Sequence, residues 1–200
     1  MYLVGLTGGI AAGKSAVAAR WVELGAVEID ADVLAREAVA EGTQGLREVI
    51  GEFGSDVLLP DGTLDRAALA AVVFNDPTKR ERLEAIVHPR VRMLAEQRFE
   101  QLPKESIVVY TVPLLVEAGV SLPFDKVVTV EAPEHVRIDR LIETRGLSQA
   151  DAVARIKNQT SPTERANRAD AILNSNQSLQ LLLKDAEALW KQIVREASEK

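Results

Sequence analysis

Apolar and polar positions along this chain follow a pattern that predicts β-strands alternating with α-helices. Short apolar runs with the length of buried strands occur at 2–7, 26–30, 106–112, 126–131 and 169–174. Helical spacing of apolar residues follows several of these runs, at 15–24, 31–41 and 178–199. The first run is apolar on both faces, which is typical of a central parallel strand covered by helices. The pattern therefore predicts an α/β fold in which helices flank a parallel sheet.

The stretch from 42 to 103 departs from this alternation, because it predicts helices without strands. The predicted helices are 43–53, 66–74, 78–87 and 89–101, the last with Pro89 at its first position. About sixty helical residues are too many for a single crossover between parallel strands. We therefore expect a helical insertion beside the sheet, which offers a wall to a second substrate.

Residues 8–15 carry the most informative motif, G-x-x-x-x-G-K-S, between the first predicted strand and the first predicted helix. A P-loop requires that context, because its glycines turn successive N–H groups toward one anion and the helix N-terminus adds partial positive charge. Lys14 can reach the β- and γ-phosphates, and the Ser15 hydroxyl can ligate Mg²⁺. The alternative is a glycine-rich turn that binds nothing. The predicted nucleotide-binding residues here are Gly8, Gly9, Ile10, Ala11, Ala12, Gly13, Lys14, Ser15 and Ala16.

Two carboxylates follow the second predicted strand, one βα unit after the P-loop. Asp30 ends that strand and Asp32 comes two residues later. The carboxyl ends of parallel strands meet at one edge of the sheet, where open α/β sheets bind ligands. Asp32 is therefore the leading candidate for a catalytic acid or base, and whether Asp30 touches a metal is left open. The alternative is that one of them caps the helix that begins near Val33.

The segment from 137 to 168 is enriched in basic residues. It holds seven Arg or Lys against four Asp or Glu, a balance of +3, whereas the whole chain carries −6 and the remainder therefore −9. Arg137 and Arg140 share a helix face. Two helices joined by a Gly-containing turn, after the fourth strand of a P-loop protein, predict a closing lid whose Arg140 and Arg145 meet the transferring phosphoryl group. Arg155 is predicted to be solvated.

Composition excludes several other classes of protein. The chain has 200 residues, 46% apolar and 27% charged, as expected for one globular body with appendages. The net charge of −6 gives no general attraction for nucleic acid or anionic membrane, and aromatic residues are only 4%. Cysteine is absent, which excludes disulfides and thiol nucleophiles. We expect a cytoplasmic protein that binds neither nucleic acid nor membrane, and the oligomeric state is left open.

The reaction class follows from the surroundings of the P-loop. The chain lacks the Asn-Lys-x-Asp stretch of guanine-selective GTPases, and its strand at 107–112 does not end in the acid of a motor ATPase. A short P-loop chain with a helical insertion and an Arg-bearing lid has the plan of a small-molecule kinase. A kinase for a nucleotide or a sugar shares that plan. A nucleotide-binding regulatory module with slow or no hydrolysis is the alternative from another class.

Several further words of the sequence carry a resemblance to a known family. They are Gly5-Leu6-Thr7-Gly8-Gly9-Ile10, Asp30-Ala31-Asp32, Asp61-Gly62-Thr63-Leu64-Asp65-Arg66, Leu83-Glu84-Ala85-Ile86-Val87-His88-Pro89, Val112-Pro113-Leu114-Leu115-Val116-Glu117, Arg137-Ile138-Asp139-Arg140 and Ala169-Asp170-Ala171-Ile172-Leu173-Asn174. On these residues the sequence resembles the dephospho-CoA kinases, over nearly the whole chain up to about Asn176. The resemblance implies ATP-dependent phosphorylation of the ribose 3′-hydroxyl of dephospho-coenzyme A, the last step of coenzyme A synthesis.

The resemblance also implies roles for individual residues. Asp32 resembles the family's catalytic acid, working with Lys14 of the P-loop, and Arg140 resembles its phosphate-stabilising lid arginine. The implied acceptor-side contacts are Asp32, His88, Arg92, Leu114, Leu115 and Glu117, and Asn174 is implied in the adenine pocket. Arg145, from the lid pattern, is a further predicted nucleotide contact. The implied parts are a nucleotide-binding core of 1–41, 104–136 and 169–200, an acceptor domain at 42–103 and a lid at 137–168.

Two positions depart from the family pattern. Ala11-Ala12 stands where many members have Gly-Ser, and we expect this to narrow the freedom of the loop slightly while leaving its N–H donors intact. Thr111 stands where many members have an Asp, so that a second carboxylate near Mg²⁺ is not expected from this position.

Overall fold

The computed structural model describes residues 1–74, 76–112 and 122–200. The chain divides into two compact units, one formed by Met1–Asp30 with Pro103–Lys200 and the other by Ala31–Leu102. No helix in the described part of the chain has both the length and the apolar character needed to cross a bilayer.

The first unit is built on a five-stranded parallel sheet, as the apolar runs predicted. Its strands, in chain order, are β1 (Tyr2–Gly8), β2 (Val27–Asp30), β3 (Ile107–Thr111), β4 (Lys126–Glu131) and β5 (Ala171–Asn174). Their spatial order is β2-β3-β1-β4-β5, with every pair parallel. All seven residues of β1 are buried, because this central strand is covered on both faces. The P-loop therefore leaves the middle of the sheet at its carboxyl edge.

Helices of the first unit cover the sheet and extend beyond it. They are α1 (Lys14–Glu23), α6 (Glu134–Arg145), α7 (Gln149–Lys157), α8 (Pro162–Asn167) and α9 (Leu179–Ser198). Trp21 of α1 is fully buried, and its ring lies 5.8 Å from that of Trp190 on α9. The indole N–H of Trp21 donates to the backbone oxygen of Ala186 at 2.8 Å. This contact fixes α9 against the helix that follows the P-loop.

The C-terminal helix is also tied to the edge of the sheet where the strands begin. Glu196 of α9 accepts hydrogen bonds from the Lys126 ammonium at 2.6 Å and from the Tyr2 hydroxyl at 2.7 Å. The hydrogen bonds from Lys126, then Tyr2 and Gln192, lower the pKa of Glu196 from the ordinary 4.5 to about 2. Burial of Tyr2, reinforced by its bond to Glu196, raises the pKa of the tyrosine hydroxyl.

The second unit is helical, as the pattern at 42–103 predicted. It contains α2 (Ala31–Ala38), α3 (Gln44–Phe53), a short 3-10 turn at Ser55–Val57, α4 (Arg66–Phe74) and α5 (Pro77–Glu100). Its core is a cluster of buried apolar side chains from several of these elements, namely Val39, Val49, Val57 and Leu69. An insertion that closes its own core in this way needs no strand to be stable.

The prediction of two helices at 78–87 and 89–101 is wrong. The structure has one continuous helix, α5, with Pro89 inside it and Pro77 in its first turn. Pro89 has no N–H to donate to the carbonyl of residue 85, which by itself favours a break. The helix continues because both of its halves pack on other helices of the unit, with Ile86 and Val87 against the apolar core just described. Tertiary packing here overrides a local signal.

Candidate functional site

The P-loop is formed by the connection from β1 to α1. Gly8 ends the strand so close to β4 that a Cβ on it would lie 2.5 Å from the backbone oxygen of Val130. Gly13 is the N-cap of α1, with a φ of 102°, and its carbonyl accepts from the N–H groups of Ala16 and Val17. Both glycines are therefore required by the backbone geometry, one by a close approach and the other by a left-handed conformation.

The residues that face an anion in such a loop lie at the start of α1. Lys14 is the first residue of the helix and is half-buried, while Ser15 follows it with an exposed side chain. Within the described ranges, the N–H groups of Gly13 and Ser15 have no protein acceptor. A helix N-terminus with unused N–H donors is an anion site by its geometry and its dipole.

Ala11 adopts a conformation that alanine rarely takes. Its φ is +59°, and among the described residues other than glycine it is the one with a positive φ. The substitution of glycine by alanine that the sequence showed here therefore has a larger effect than a slight loss of loop freedom. It places a Cβ in the left-handed region, which costs about 1–2 kcal/mol for an L-residue.

The predicted lid packs directly against the tip of the P-loop. Leu141 of α6 and Ile156 of α7 form a buried apolar cluster with Ala152, and Ile10 and Ala11 of the P-loop pack against it. The methyl group of Ala11 thus packs into this cluster, although the backbone that carries it is strained. The segment that carries the basic residues and the nucleotide loop share one small core.

Arg140, the predicted catalytic arginine, lies beside the P-loop and donates to protein oxygens. Its Nη1 lies 3.2 Å from the carbonyl oxygen of Ala11 and 2.8 Å from the Ser175 hydroxyl, and its Nη2 lies 2.8 Å from the Ser175 carbonyl. Ser175 directly follows β5. Arg140 therefore joins the P-loop to the loop after the last strand, and its role toward phosphate stays a prediction.

A second pair of arginines lies over the first half of the P-loop. Arg137 is 3% exposed and Arg165 is 1% exposed. A Cβ on Gly9 would overlap Nη1 of Arg137 and would lie 3.2 Å from Nη2 of Arg165. Arg165 forms a two-bond ion pair with Glu131, at 2.7 and 2.8 Å, and also donates to the Thr160 carbonyl. Burial, and secondly the charge of Arg165, lowers the pKa of Arg137.

The remaining predicted nucleotide contacts are exposed. Arg145 is in the last turn of α6, which ends at Gly146 with a φ of 62°. Asn174 accepts a hydrogen bond from the N–H of Asn176 at 2.8 Å and lines a cleft of about 540 Å³. Arg137 also lines this cleft, but none of residues 8–16 does. The contact of Asn174 with an adenine base stays a prediction.

The predicted acceptor-side residues lie in the second unit or outside the described residues. Asp32 is exposed, in the first turn of α2, where a carboxylate interacts favourably with the helix dipole. His88 is exposed on α5, and Arg92, one turn later, pairs with Glu96 at 2.9 Å. The other three predicted contacts lie outside the described residues, namely Leu114, Leu115 and Glu117.

The strands beside the P-loop place polar groups near Thr111. Asp30 is opposite Thr111 in the β2–β3 register, and the Thr111 hydroxyl donates to Glu28 Oε1 at 3.2 Å. Burial of Tyr110, with a contribution from the charge of Asp30, raises the pKa of the tyrosine to about 12. Among the described residues no three Asp, Glu or His side chains are grouped as a metal site.

Sequence reasoning did not select three residues that contact the P-loop, namely Arg137, Gln159 and Arg165. Gln159 accepts a hydrogen bond from the N–H of Ile10 at 2.8 Å, and Arg137 Nη1 donates to the same oxygen over 3.4 Å. The i, i+3 spacing of Arg137 and Arg140 indicated a common face, but not which of the two would be buried. That distinction depends on Gly9, whose missing side chain leaves room for a guanidinium from a distant helix.

Comparisons with known proteins agree on one family. The family model described as dephospho-CoA kinase matches residues 2–180. The dephospho-CoA kinase of Moorella thermoacetica is 46% identical over 198 residues, which are 98% of this chain and 93% of that protein. The dephospho-CoA kinase of Thermobifida fusca is 44% identical over 195 residues, 98% of each chain.

Solved structures extend the comparison to the fold. A protein from Thermus thermophilus matches with a TM-score of 0.83 at 34% identity, over 96% of this chain and 97% of that one. The dephospho-CoA kinase of Campylobacter jejuni matches with a TM-score of 0.65 at 24% identity, over 96% of each chain. A shikimate kinase from Bacteroides thetaiotaomicron, at 17% identity and a TM-score of 0.54 over 97% and 98%, shares the fold alone.

Proposed function

We propose that this chain, which belongs to the dephospho-CoA kinase family, transfers the γ-phosphoryl group of ATP to the ribose 3′-hydroxyl of dephospho-coenzyme A. The bond between the γ-phosphorus and the bridging oxygen breaks, and a bond from the γ-phosphorus to the 3′-oxygen forms. The hydroxyl proton passes to a base, and the products are ADP and coenzyme A. The observation that carries the proposal is the family match over residues 2–180.

The P-loop supports the ATP half of the reaction. The exposed start of α1 offers N–H donors to the phosphates, and Lys14 is the residue whose ammonium reaches the bridge between them. Arg145, in the last turn of α6, is our candidate for a further phosphate contact, and Asn174 for a contact with the base. The charge of Arg145 and the hydrogen bonds of Asn174 orient the nucleotide for in-line transfer.

Mg²⁺ fits the residues at this site in one specific way. Ser15 exposes a hydroxyl in the first turn of α1, and no cluster of three carboxylate or imidazole groups occurs in the described residues. A cation held by one hydroxyl, phosphate oxygens and waters is the arrangement that magnesium favours. Bound magnesium supplies charge that offsets the developing negative charge on the phosphates. Ser15 is therefore our proposed metal ligand.

Asp32 is the proposed base for the acceptor hydroxyl. It follows the carboxyl end of β2 by two residues, and β1 leads into the P-loop from the same sheet. Ligands bind at the carboxyl edge of such sheets. A carboxylate within reach of the acceptor can take the hydroxyl proton as a general base.

We further propose that the helical unit binds dephospho-coenzyme A through α5. His88 and Arg92 are one turn apart and both exposed, so that they share a face of the helix. A cation and an imidazole suit the phosphates of the acceptor. A cytoplasmic location agrees with a chain that has no cysteine and a net charge of −6.

The reaction is tested with purified protein, ATP, Mg²⁺ and dephospho-coenzyme A, with coenzyme A and ADP followed by chromatography. We expect the two products in equal amounts, and no ADP release with an acceptor that lacks the 3′-hydroxyl. A parallel screen offers nucleoside monophosphates, sugars and shikimate. Faster phosphorylation of one of these would reject the assignment, and acceptor-independent ATP hydrolysis would favour a regulatory module.

A further inference from the structure

Arg137 is a buried charge whose hydrogen-bonding groups are incompletely used. The residue is 3% exposed, and its Nε has no hydrogen-bond partner in the described part of the chain. Its Nη1 makes one long bond, 3.4 Å, to Gln159 Oε1. A guanidinium carries five donors in a fixed fork and stays protonated at neutral pH. An unused donor on a buried charge is costly, and it marks a place for an acceptor.

The neighbouring carboxylates do not form an ion pair with Arg137. Glu131 binds both Nε and Nη2 of Arg165, and it also accepts from the Thr129 hydroxyl at 2.7 Å. Glu131 and Glu134 attract Arg137 electrostatically, but Arg137 forms no ion pair with a described residue. The guanidinium of Arg137 is therefore buried beside the phosphate-binding motif with a donor unused.

The position of Arg137 over the P-loop identifies the anion that fits it. Its Nη1 occupies the space in which a Gly9 side chain would stand, and Gln159 holds both this nitrogen and the N–H of Ile10. Gly9 and Ile10 belong to the first half of the loop, whereas Gly13 and Ser15 offer their N–H groups at the start of α1. A polyphosphate that binds at the start of α1 and runs back along the loop would bring its far end toward Arg137.

We propose that Arg137 binds the terminal phosphate of a nucleoside triphosphate held in the P-loop, and that Gln159 and the Arg165–Glu131 pair hold Arg137 in place. The proposal deepens the function given above, because it rests on a nucleotide in that loop. It assigns to Arg137 the contact with the transferring group that the sequence had given to Arg140.

The test compares Arg137→Gln, Arg137→Lys and the control Arg155→Gln by calorimetric titration with ATP, ADP, AMP and tripolyphosphate. Arg155 is an exposed arginine on α7, so its replacement removes the same charge from the same segment. We expect Arg137→Gln to weaken the binding of ATP and of tripolyphosphate about 10- to 100-fold, since a hydrogen bond to a charged group is lost. The affinities for ADP and AMP should change less than about threefold, and Arg155→Gln should change none of the four affinities by more than that.

A second measurement separates a binding role from a structural one. Without nucleotide, Arg137→Gln should melt at or above the wild-type temperature, because a buried charge that has no ion-pair partner among the described residues is removed. Arg137→Lys keeps the charge without the fork, and it should retain part of the preference of the protein for ATP over ADP. A loss of thermal stability with unchanged ATP affinity would overturn the proposal, and so would an equal loss for ATP, ADP and AMP.

A free anion in the adjoining cleft is the competing occupant of this position. The protein is first saturated with a non-hydrolysable ATP analogue, and inorganic phosphate is then added. If phosphate still raises the melting temperature of the wild type but not that of Arg137→Gln, the terminal phosphate is rejected as the ligand of Arg137. These titrations need no acceptor. If the wild type forms no coenzyme A but still prefers ATP over ADP through Arg137, the proposed reaction is rejected and the role of Arg137 remains supported.

Discussion

Gln159 accepts a hydrogen bond from the backbone N–H of Ile10 at 2.8 Å, so that the turn between α7 and α8 is bound to the tip of the P-loop. The two residues are separated by 149 positions in the sequence. Ile10 also packs into the apolar cluster of α6 and α7. Arg140 donates to the Ala11 carbonyl as well. The predicted lid is thus attached to the nucleotide loop by two hydrogen bonds and several apolar contacts.

Replacement of Gln159 by Ala should raise the KM for ATP by about three- to tenfold, because one hydrogen bond that orders the P-loop is lost. The kcat should fall less than threefold, since the side chain positions the loop and the arginine rather than the reacting atoms. Steady-state kinetics at varied ATP measure the split, with Gln149→Ala, an exposed glutamine on α7, as the control. A large fall in kcat at unchanged KM would contradict this role.

Arg140→Ala distinguishes a structural brace from a catalytic arginine. As a brace between Ala11 and Ser175, Arg140 should affect mainly the KM for ATP, by about 10- to 100-fold, with a smaller change in kcat. As an arginine finger it would lower kcat by about 10³-fold or more. We expect the first pattern. Single-turnover measurements at saturating ATP decide the matter, and a 10³-fold slower chemical step would restore the role predicted from the sequence.

Asp32→Asn should lower kcat by about 10²- to 10⁴-fold while the affinity for ATP changes little, because general-base catalysis contributes on that order. Rapid quench of a single turnover measures the step, and calorimetry measures ATP binding. Glu37→Gln, on the same helix and paired with Arg98, is the control for a lost carboxylate. An unchanged rate with Asn at position 32 would exclude the base.

Ala11→Gly and Ala12→Gly should change the free energy of unfolding by different amounts or in opposite directions, although both remove one methyl group. At position 11 glycine relieves a left-handed strain of about 1–2 kcal/mol, which offsets the lost packing and the added entropy of the unfolded chain. At position 12 the methyl is buried without a positive φ, so glycine should cost about 1–2 kcal/mol. Urea unfolding of both variants gives the comparison. Equal destabilisation would show that strain at Ala11 has no energetic effect.

Glu196→Gln tests the ion pair at the amino-terminal edge of the sheet through its pH dependence. Because the folded pKa of Glu196 is lowered to about 2, its stabilisation is present above 4.5 and is lost as the pH falls from 4.5 toward 2. With one third of the Glu196 side chain exposed, we expect about 1 kcal/mol, or about 2–4 °C in Tm, at pH 7. The gap between wild type and variant should narrow as the pH falls below 4.5 and close only below about 2. Glu199→Gln serves as control, and a gap of the same size at pH 7 and at pH 2 would contradict the assignment.

Local signals made the sheet and the P-loop predictable. The apolar runs have the length of strands that are covered on both faces. The glycines of the loop stand at positions where the backbone excludes a side chain, and a short motif is enough to indicate such positions. Pro89 shows the limit of such signals, because α5 is stabilised by packing on helices that are distant in the sequence. No local rule gives the strength of that packing.

The arginines over the P-loop show a second limit. Arg137 and Arg140 are similar in the sequence, both charged and on one helix face, yet one is buried over Gly9 and the other joins Ala11 to Ser175. Their difference arises from the shape of a loop about 130 residues earlier in the chain. Charge and spacing could indicate a phosphate-facing segment, but not which guanidinium faces the phosphate.

The central place of β1 in the sheet has a consequence for biosynthesis. Its two neighbours begin about 100–120 residues later in the chain, at Ile107 and Lys126. At the usual elongation rate of about 5–20 residues per second, the nascent chain carries an unpaired, mainly apolar strand for about 5–25 s. The sheet therefore cannot hold the nucleotide loop in place until β3 and β4 have been made, and during that interval β1 is a natural target for chaperones that bind extended apolar segments.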